Sequence, residues 1–191
     1  LSHCGEIRLI QRSPLLRGPF FRGEKMKIYV YAIAKNEEKH VKRWINSVRE
    51  ADGVFVLDTG SEDNTAELLK SEGATVEKQI ISPWRFDTAR NISLSLVPED
   101  ADICVCCDLD EVFHHSWREK LEKAWSAHAT RARYRYTWNF LPDGREGTVF
   151  YADKIHARKG YKWVNPVHEV LVCENEEKMI TVTGIQLDHL A

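Results

Sequence analysis

From Met26 onward, short apolar runs alternate with amphipathic stretches, the pattern of a parallel sheet flanked by helices. KIYVYAIA reads as a first strand. Val41, Trp44, Ile45 and Val48 then recur at helical spacing between charges, which predicts a helix over Glu37 to Glu50 covering the sheet. Gly53 opens a second strand, GVFVLD. Ser61, Glu62, Asp63 and Thr65 offer capping groups to a helix that carries Leu68 and Leu69 and stops at Gly73. ATVEKQII reads as a third strand. Asp87 can cap a helix through Ala89, Ile92, Leu94 and Leu96 that ends at Pro98, and ADICVCC runs as a buried strand into Asp108.

Beyond Asp108 the pattern changes. Trp117, Leu121, Ala124 and Trp125 mark one more helix, after which ARYRYTWNF and TVFYADKIHA alternate aromatic with polar residues around Pro142-Asp143-Gly144. The expectation is an α/β protein whose mainly parallel, Rossmann-like sheet is flanked by helices and followed by a smaller antiparallel distal region. Residues 1-25 carry four arginines, one lysine and two prolines with no sustained period, and read as a loosely packed N-terminal appendage. The folded unit is expected over 26-191, with a ligand-binding half at 26-113 and a second half at 114-191.

The 191 residues suit one domain with an appendage, and 43% hydrophobic with 29% charged residues excludes wholesale disorder. A formal net charge of -2 gives no global attraction to phosphate backbones, so no nucleic-acid partner is expected. No apolar run reaches the length of a membrane span, and the N-terminal stretch, broken by Arg8, Arg12, Pro14, Arg17 and Pro19, lacks a signal-peptide core. Five cysteines, three of them at Cys104, Cys106 and Cys107, make no disulfide framework and no zinc spacing, and a cytoplasmic setting is expected.

In open α/β sheets ligands bind beyond the carboxyl ends of the strands. Here those ends read Lys35-Asn36-Glu37, Asp58-Thr59-Gly60-Ser61, Trp84-Arg85-Phe86-Asp87 and Asp108-Leu109-Asp110-Glu111. Asp58 and Ser61 can simply build a turn, and Glu37 can simply favour a helix N-terminus. Asp108, Asp110 and Glu111 are harder to explain structurally, because three adjacent carboxylates repel unless a cation or hydrogen-bond donors compensate. In an extended segment Asp108 and Asp110 would point to one side, where hard oxygen ligands suit Mg²⁺ or Mn²⁺.

IYVYAIAKNEE, VFVLDTGSEDNT, FDTARN and CVCCDLDEVF, in this order and spacing, resemble a family 2 glycosyltransferase of the GT-A fold, the last segment having the form of its DxD motif. YKWVNPVHEVL and IQLDHLA are similar, less specifically, to the distal part of some members. The resemblance implies a nucleotide-diphosphate sugar donor, a UDP-sugar first, and transfer to a hydroxyl of a glycan, lipid or protein acceptor, with inversion. It implies that Asp58 accepts a hydrogen bond from the base, that Ala34, Lys35 and Glu37 hold base and ribose, and that Arg90 reaches the nucleotide. Asp110 would bind Mn²⁺ or Mg²⁺ directly, Asp108 the ribose or the metal, with His168 or His189 as a further metal ligand. Glu169 would be the base that activates the acceptor, with Glu111 as its rival.

Three alternatives remain open at this point. A haloacid dehalogenase-like phosphatase would use Asp108 as nucleophile. A sugar nucleotidyltransferase would need a glycine-rich, arginine-containing loop that AIAKNEE lacks. A nucleotide-sugar-binding domain without turnover, or a fragment of a longer enzyme, would keep the binding residues alone.

Overall fold

The computed structural model describes residues 25–191, so the expected appendage lies, apart from Lys25, outside the described residues. Its first half follows the apolar pattern: β1 (Ile28–Ala34), α1 (Glu38–Val48), β2 (Gly53–Asp58), α2 (Thr65–Ser71), β3 (Thr75–Lys78), α3 (Phe86–Ser95) and β4 (Ile103–Cys106). β3, β2, β1 and β4 lie side by side in that order and all run parallel. The second half adds β5 (Glu111–Phe113), α4 (Trp117–Ala124), β6 (Arg131–Thr137), β7 (Val149–Ala157), β8 (Tyr161–Val164), β9 (Val170–Cys173) and β10 (Met179–His189).

Strand β1 is central because both of its faces are apolar, as a strand covered by helices on two sides must be. Ile28, Val30, Ala32 and Ala34 join Trp44 of α1, Leu69 of α2 and Leu121 of α4 in one core. Tyr31 points the other way, into a second core with Leu94 of α3 and Trp163 and Leu171 of the β8–β9 hairpin. The cysteines follow the same alternation: Cys104 and Cys106 lie in the second core and Cys107 in the first, all as buried free thiols.

Several local expectations are corrected. The distal region is not wholly antiparallel: β7 runs antiparallel to β4 and β6, but β10 runs parallel to β6 and carries the sheet on to β5. β8 and β9 leave the main sheet and form a two-stranded sheet of their own. Asp87 does not cap α3; it sits inside the first turn, where its carboxylate accepts from Arg85, the residue before the helix, at 2.7 Å. Among the described residues no helix is long and apolar enough to cross a membrane.

Candidate active site

At the carboxyl ends of β1 and β2 the two loops are stitched together by backbone-to-side-chain hydrogen bonds. Asn36, at φ 57, donates its N–H to Ser61 Oγ at 2.9 Å and accepts from Glu62 N–H on its Oδ1 at 2.8 Å. Glu37 N–H donates to Thr65 Oγ1 at 2.7 Å, and the Ala34 carbonyl accepts from Thr59 N–H at 2.9 Å. Asp58 is fully buried in this turn. Its Oδ1 accepts from the N–H groups of Gly60 and Ser61 at 2.8 and 2.7 Å, whereas its Oδ2 is buried with no hydrogen-bond partner among the described residues. The turn role of Asp58 therefore uses one oxygen and leaves the other available. Lys35 is exposed beside it, and burial together with the charge of Asp110 raises the Glu37 carboxyl above its ordinary value.

β4 stops at Cys106 and the chain turns, with Glu111 N–H donating to the Asp108 carbonyl at 3.0 Å. Because the segment is a turn rather than extended, Asp108 and Asp110 take up different contacts instead of sharing one side. Asp108 is gripped by Arg90, a residue of α3 that is only 6% exposed, through two guanidinium nitrogens, the Nη2–Oδ2 distance being 2.9 Å. Lys154 of β7 lies 3.3 Å from the same Oδ2. Burial alone would raise the Asp108 carboxyl, but the charges of Arg90 and Lys154 outweigh it and hold the group well below the usual carboxylate range. Two cations on its oxygens oppose the metal role expected of Asp108 and the nucleophile role of the phosphatase alternative.

Glu111 is also committed. Lys154 Nζ sits 2.6 and 2.8 Å from its two oxygens, Tyr136 donates its hydroxyl to Oε1 at 3.0 Å, and Asp108 N–H donates to Oε2 at 2.8 Å. A carboxylate with both oxygens engaged and 3% exposure is a structural anion, which corrects its candidacy as a base. Glu169, in the loop before β9, is freer: its Oε1 accepts from Arg90 Nε at 3.2 Å, and Oε2 makes no hydrogen bond among the described residues. Arg90 thus joins Asp108 to Glu169, a buried junction where sequence reasoning expected a direct contact to nucleotide.

Asp110 turns toward the end of β10. Its Oδ2 lies 3.2 Å from His189 Nε2, while His189 Nδ1 is 2.9 Å from the Trp138 carbonyl, so Nδ1 donates and Nε2 is left to face the carboxylate. Trp138 stacks on the His189 ring, with centroids 4.6 Å apart and planes 10° from parallel. A carboxylate and an imidazole with its second nitrogen anchored form a donor set suited to a divalent cation. His168 does not join them: it is exposed at φ 56, and no hydrogen bond or ion pair among the described residues ties it to either aspartate. Among the described residues no group of three His, Cys, Asp or Glu side chains converges on one metal position, so Asp110 and His189 would need ligands from substrate or water.

Lys154 was not foreseen. The available signal was a lysine on the strand face that carries Phe150 and Ala152, where a charge demands a buried partner. A cavity of about 560 Å³ opens beside this cluster, with Asp108, Glu111, Lys154, Glu169, Trp138 and Phe150 in its lining.

The model of glycosyl transferase family 2 matches residues 29–169, which takes in every residue of this cluster except His189. The chain belongs to glycosyl transferase family 2. Similar curated proteins are uncharacterized glycosyltransferases of Rickettsia typhi, 32% identical over 53% of this chain and 34% of the relative, and of Rickettsia bellii, 42% identical over 30% of this chain and 19% of the relative. The chain thus spans about a third of the length of the first of these. Among solved structures it is similar to glucosyl-3-phosphoglycerate synthase from Mycobacterium tuberculosis in complex with Mn²⁺ and UDP-glucose, at 25% identity and a TM-score of 0.49, covering 58% of this chain and 44% of that one.

Proposed function

We propose that this family 2 member transfers a sugar from a UDP-sugar to an acceptor hydroxyl with inversion. The observation that carries the reading is the unpaired, buried Oδ2 of Asp58. A buried carboxylate oxygen without a donor is costly, and at the end of a parallel strand, beside the main-chain groups of Ala34 and Lys35 and the carboxylate of Glu37, it is an acceptor suited to the imide N–H of uracil.

Asp110 and His189 would hold the divalent cation, Mn²⁺ or Mg²⁺, whose chemistry is to neutralise charge on the departing diphosphate. Arg90 holds Asp108 and Glu169 in place and adds a positive charge to the same neighbourhood. Glu169 takes the proton of the acceptor hydroxyl as its oxygen bonds to the anomeric carbon and the bond from that carbon to the diphosphate oxygen breaks. Glu111 serves instead to keep Lys154 charged: burial lowers the ammonium's pKa, but the charges of Glu111 and Asp108 raise it well above the ordinary lysine value.

Calorimetric titration of UDP into the protein, with Mn²⁺ and then with chelator, tests the reading. Binding that requires metal is the expected result. Absence of binding in both conditions overturns the UDP-sugar assignment.

A further inference from the structure

We infer that the acceptor is a neutral sugar ring seated on the exposed rings of Phe150 and Trp138, which flank the buried Tyr136. The inference rests on the transferase reading above and goes beyond it by naming the acceptor's chemical class.

β4 and β7 pair where Ile103–Val105 face Ala157–Ile155; beyond Val105 the pairing ends, and the 560 Å³ cavity is lined there by Asp108 after β4 and by Ala152, Asp153 and Lys154 of β7. Its size suits one or two sugar rings. Along its wall the Phe150 ring lies 4.9 Å from Tyr136, Tyr136 6.2 Å from Trp138, and Trp138 4.6 Å from His189. The rings therefore run from the cavity to the Asp110–His189 pair, where the anomeric carbon would be presented. Trp138 and Phe150 are 49% and 45% exposed, and large aromatic faces left open in a concavity mark a ligand surface.

Charge selects among ligands. Each cation lining the cavity already has carboxylate partners: Arg90 has Asp108 and Glu169, Lys154 has Glu111 and Asp108, and Arg131 has Asp153 and Glu177 at 3.0 and 3.1 Å. An anionic acceptor would have to break one of these pairs and would meet the carboxylates of Asp108, Glu111, Asp153 and Glu169. An acyl chain would meet the same four carboxylates with nothing to offer them. A neutral pyranose suits this lining, its C–H face on the rings and one hydroxyl donating to Glu169, whose Oε2 makes no hydrogen bond among the described residues and is placed to take that proton.

The test is saturation-transfer NMR on the full chain with the methyl glycosides of glucose, galactose, mannose and N-acetylglucosamine, with 3-phosphoglycerate as the anionic arm and octanol as the apolar one. At least one neutral glycoside should bind, with transfer strongest to ring-face protons. Phe150→Ala should weaken it about tenfold, as loss of one aromatic contact implies. Phe150→Tyr should retain it, and UDP affinity should be unchanged in both. Trp138→Ala probes the same wall from its other end if Phe150→Ala fails to fold. Binding of 3-phosphoglycerate or octanol without any glycoside, absence of all binding, or glycoside affinity indifferent to both variants overturns the inference. Glycoside binding in a protein that does not bind UDP would sustain it while removing the donor assignment.

Discussion

Lys154 Nζ lies 2.6 Å from Glu111 Oε1 and 3.3 Å from Asp108 Oδ2, so one ammonium on β7 joins the two ends of the turn that follows β4. The pair is largely out of water, with the Glu111 side chain 4% exposed and that of Lys154 19%. Lys154→Met should therefore leave a buried, uncompensated carboxylate and cost about 3–5 kcal/mol of stability. Lys154→Met combined with Glu111→Gln should recover part of the loss. Urea denaturation of the two variants measures both, and an unaffected single variant would remove Lys154 from the account of how this turn is held.

Asp58→Asn should keep the turn, because one side-chain oxygen suffices for Gly60 and Ser61, but it can place an amide donor where Oδ2 now stands. The expected result is a nearly unchanged melting temperature with UDP affinity reduced about tenfold or more. Equal affinity for UDP in variant and parent would show that the buried oxygen does not meet the base.

Asp110→Ala should abolish the Mn²⁺-dependent component of UDP binding and leave the fold intact, since Asp110 is half-buried and its side-chain contact is with His189 Nε2 at 3.2 Å. Calorimetry with and without chelator decides the point. Undiminished metal-dependent binding would sink the assignment of the cation to this aspartate.

Glu169→Gln should spare UDP binding and remove transfer, because the amide can still accept from Arg90 but cannot take a proton. Normal turnover in a UDP-release assay would withdraw Glu169 as the base.

The acid sensitivity of the fold should trace in part to His156. It is fully buried; its Nδ1 donates to the Ala157 carbonyl and its Nε2 accepts from the Tyr31 hydroxyl, both at 2.8 Å, and burial pushes its pKa down to about 3. The folded state thus disfavours the protonated ring, so the stability this group contributes is complete above the unfolded value near 6.5 and is lost as pH falls from there toward 3. Between pH 6.5 and 5 the loss should be about 2 kcal/mol, at about 1.4 kcal/mol per pH unit. His156→Gln should flatten that slope in urea denaturation; an unchanged slope would assign the acid sensitivity elsewhere.

Much of the first half, from β1 to β4, was legible because its elements are set by local pattern. Ile28, Val30 and Ala32 alternate with Tyr29 and Tyr31 as a strand buried on both faces must, and Val41, Trp44, Ile45 and Val48 keep the period of one helix face. Strand ends in such a sheet hold the ligand crevice, so the run of carboxylates at Asp108, Asp110 and Glu111 stood out from position and charge, whereas Asp58 could equally build a turn and was marked only by the family resemblance. The distal half was less legible. Nothing local distinguishes a strand that joins β6 in parallel from one that joins it antiparallel, and β10 took the parallel place through contacts 48 to 51 residues away, such as those of Arg131 with Met179 and of Thr137 with Asp188.

What the sequence determined by itself was the alternation of elements from β1 to β4, with α4, β6 and β7 after it, and the chemical character of the first strand ends, because apolar periodicity and turn chemistry act over a few residues. Only the tertiary structure decided how those charges pair. Arg90 meets Asp108 and Glu169 across 18 and 79 positions, Lys154 meets Glu111 across 43, and His189 rather than His168 meets Asp110. Each pairing depends on which strands lie side by side and on where the pairing of β4 with β7 ends. A buried charge takes the partner that packing brings within reach, and packing is a property of the whole sheet.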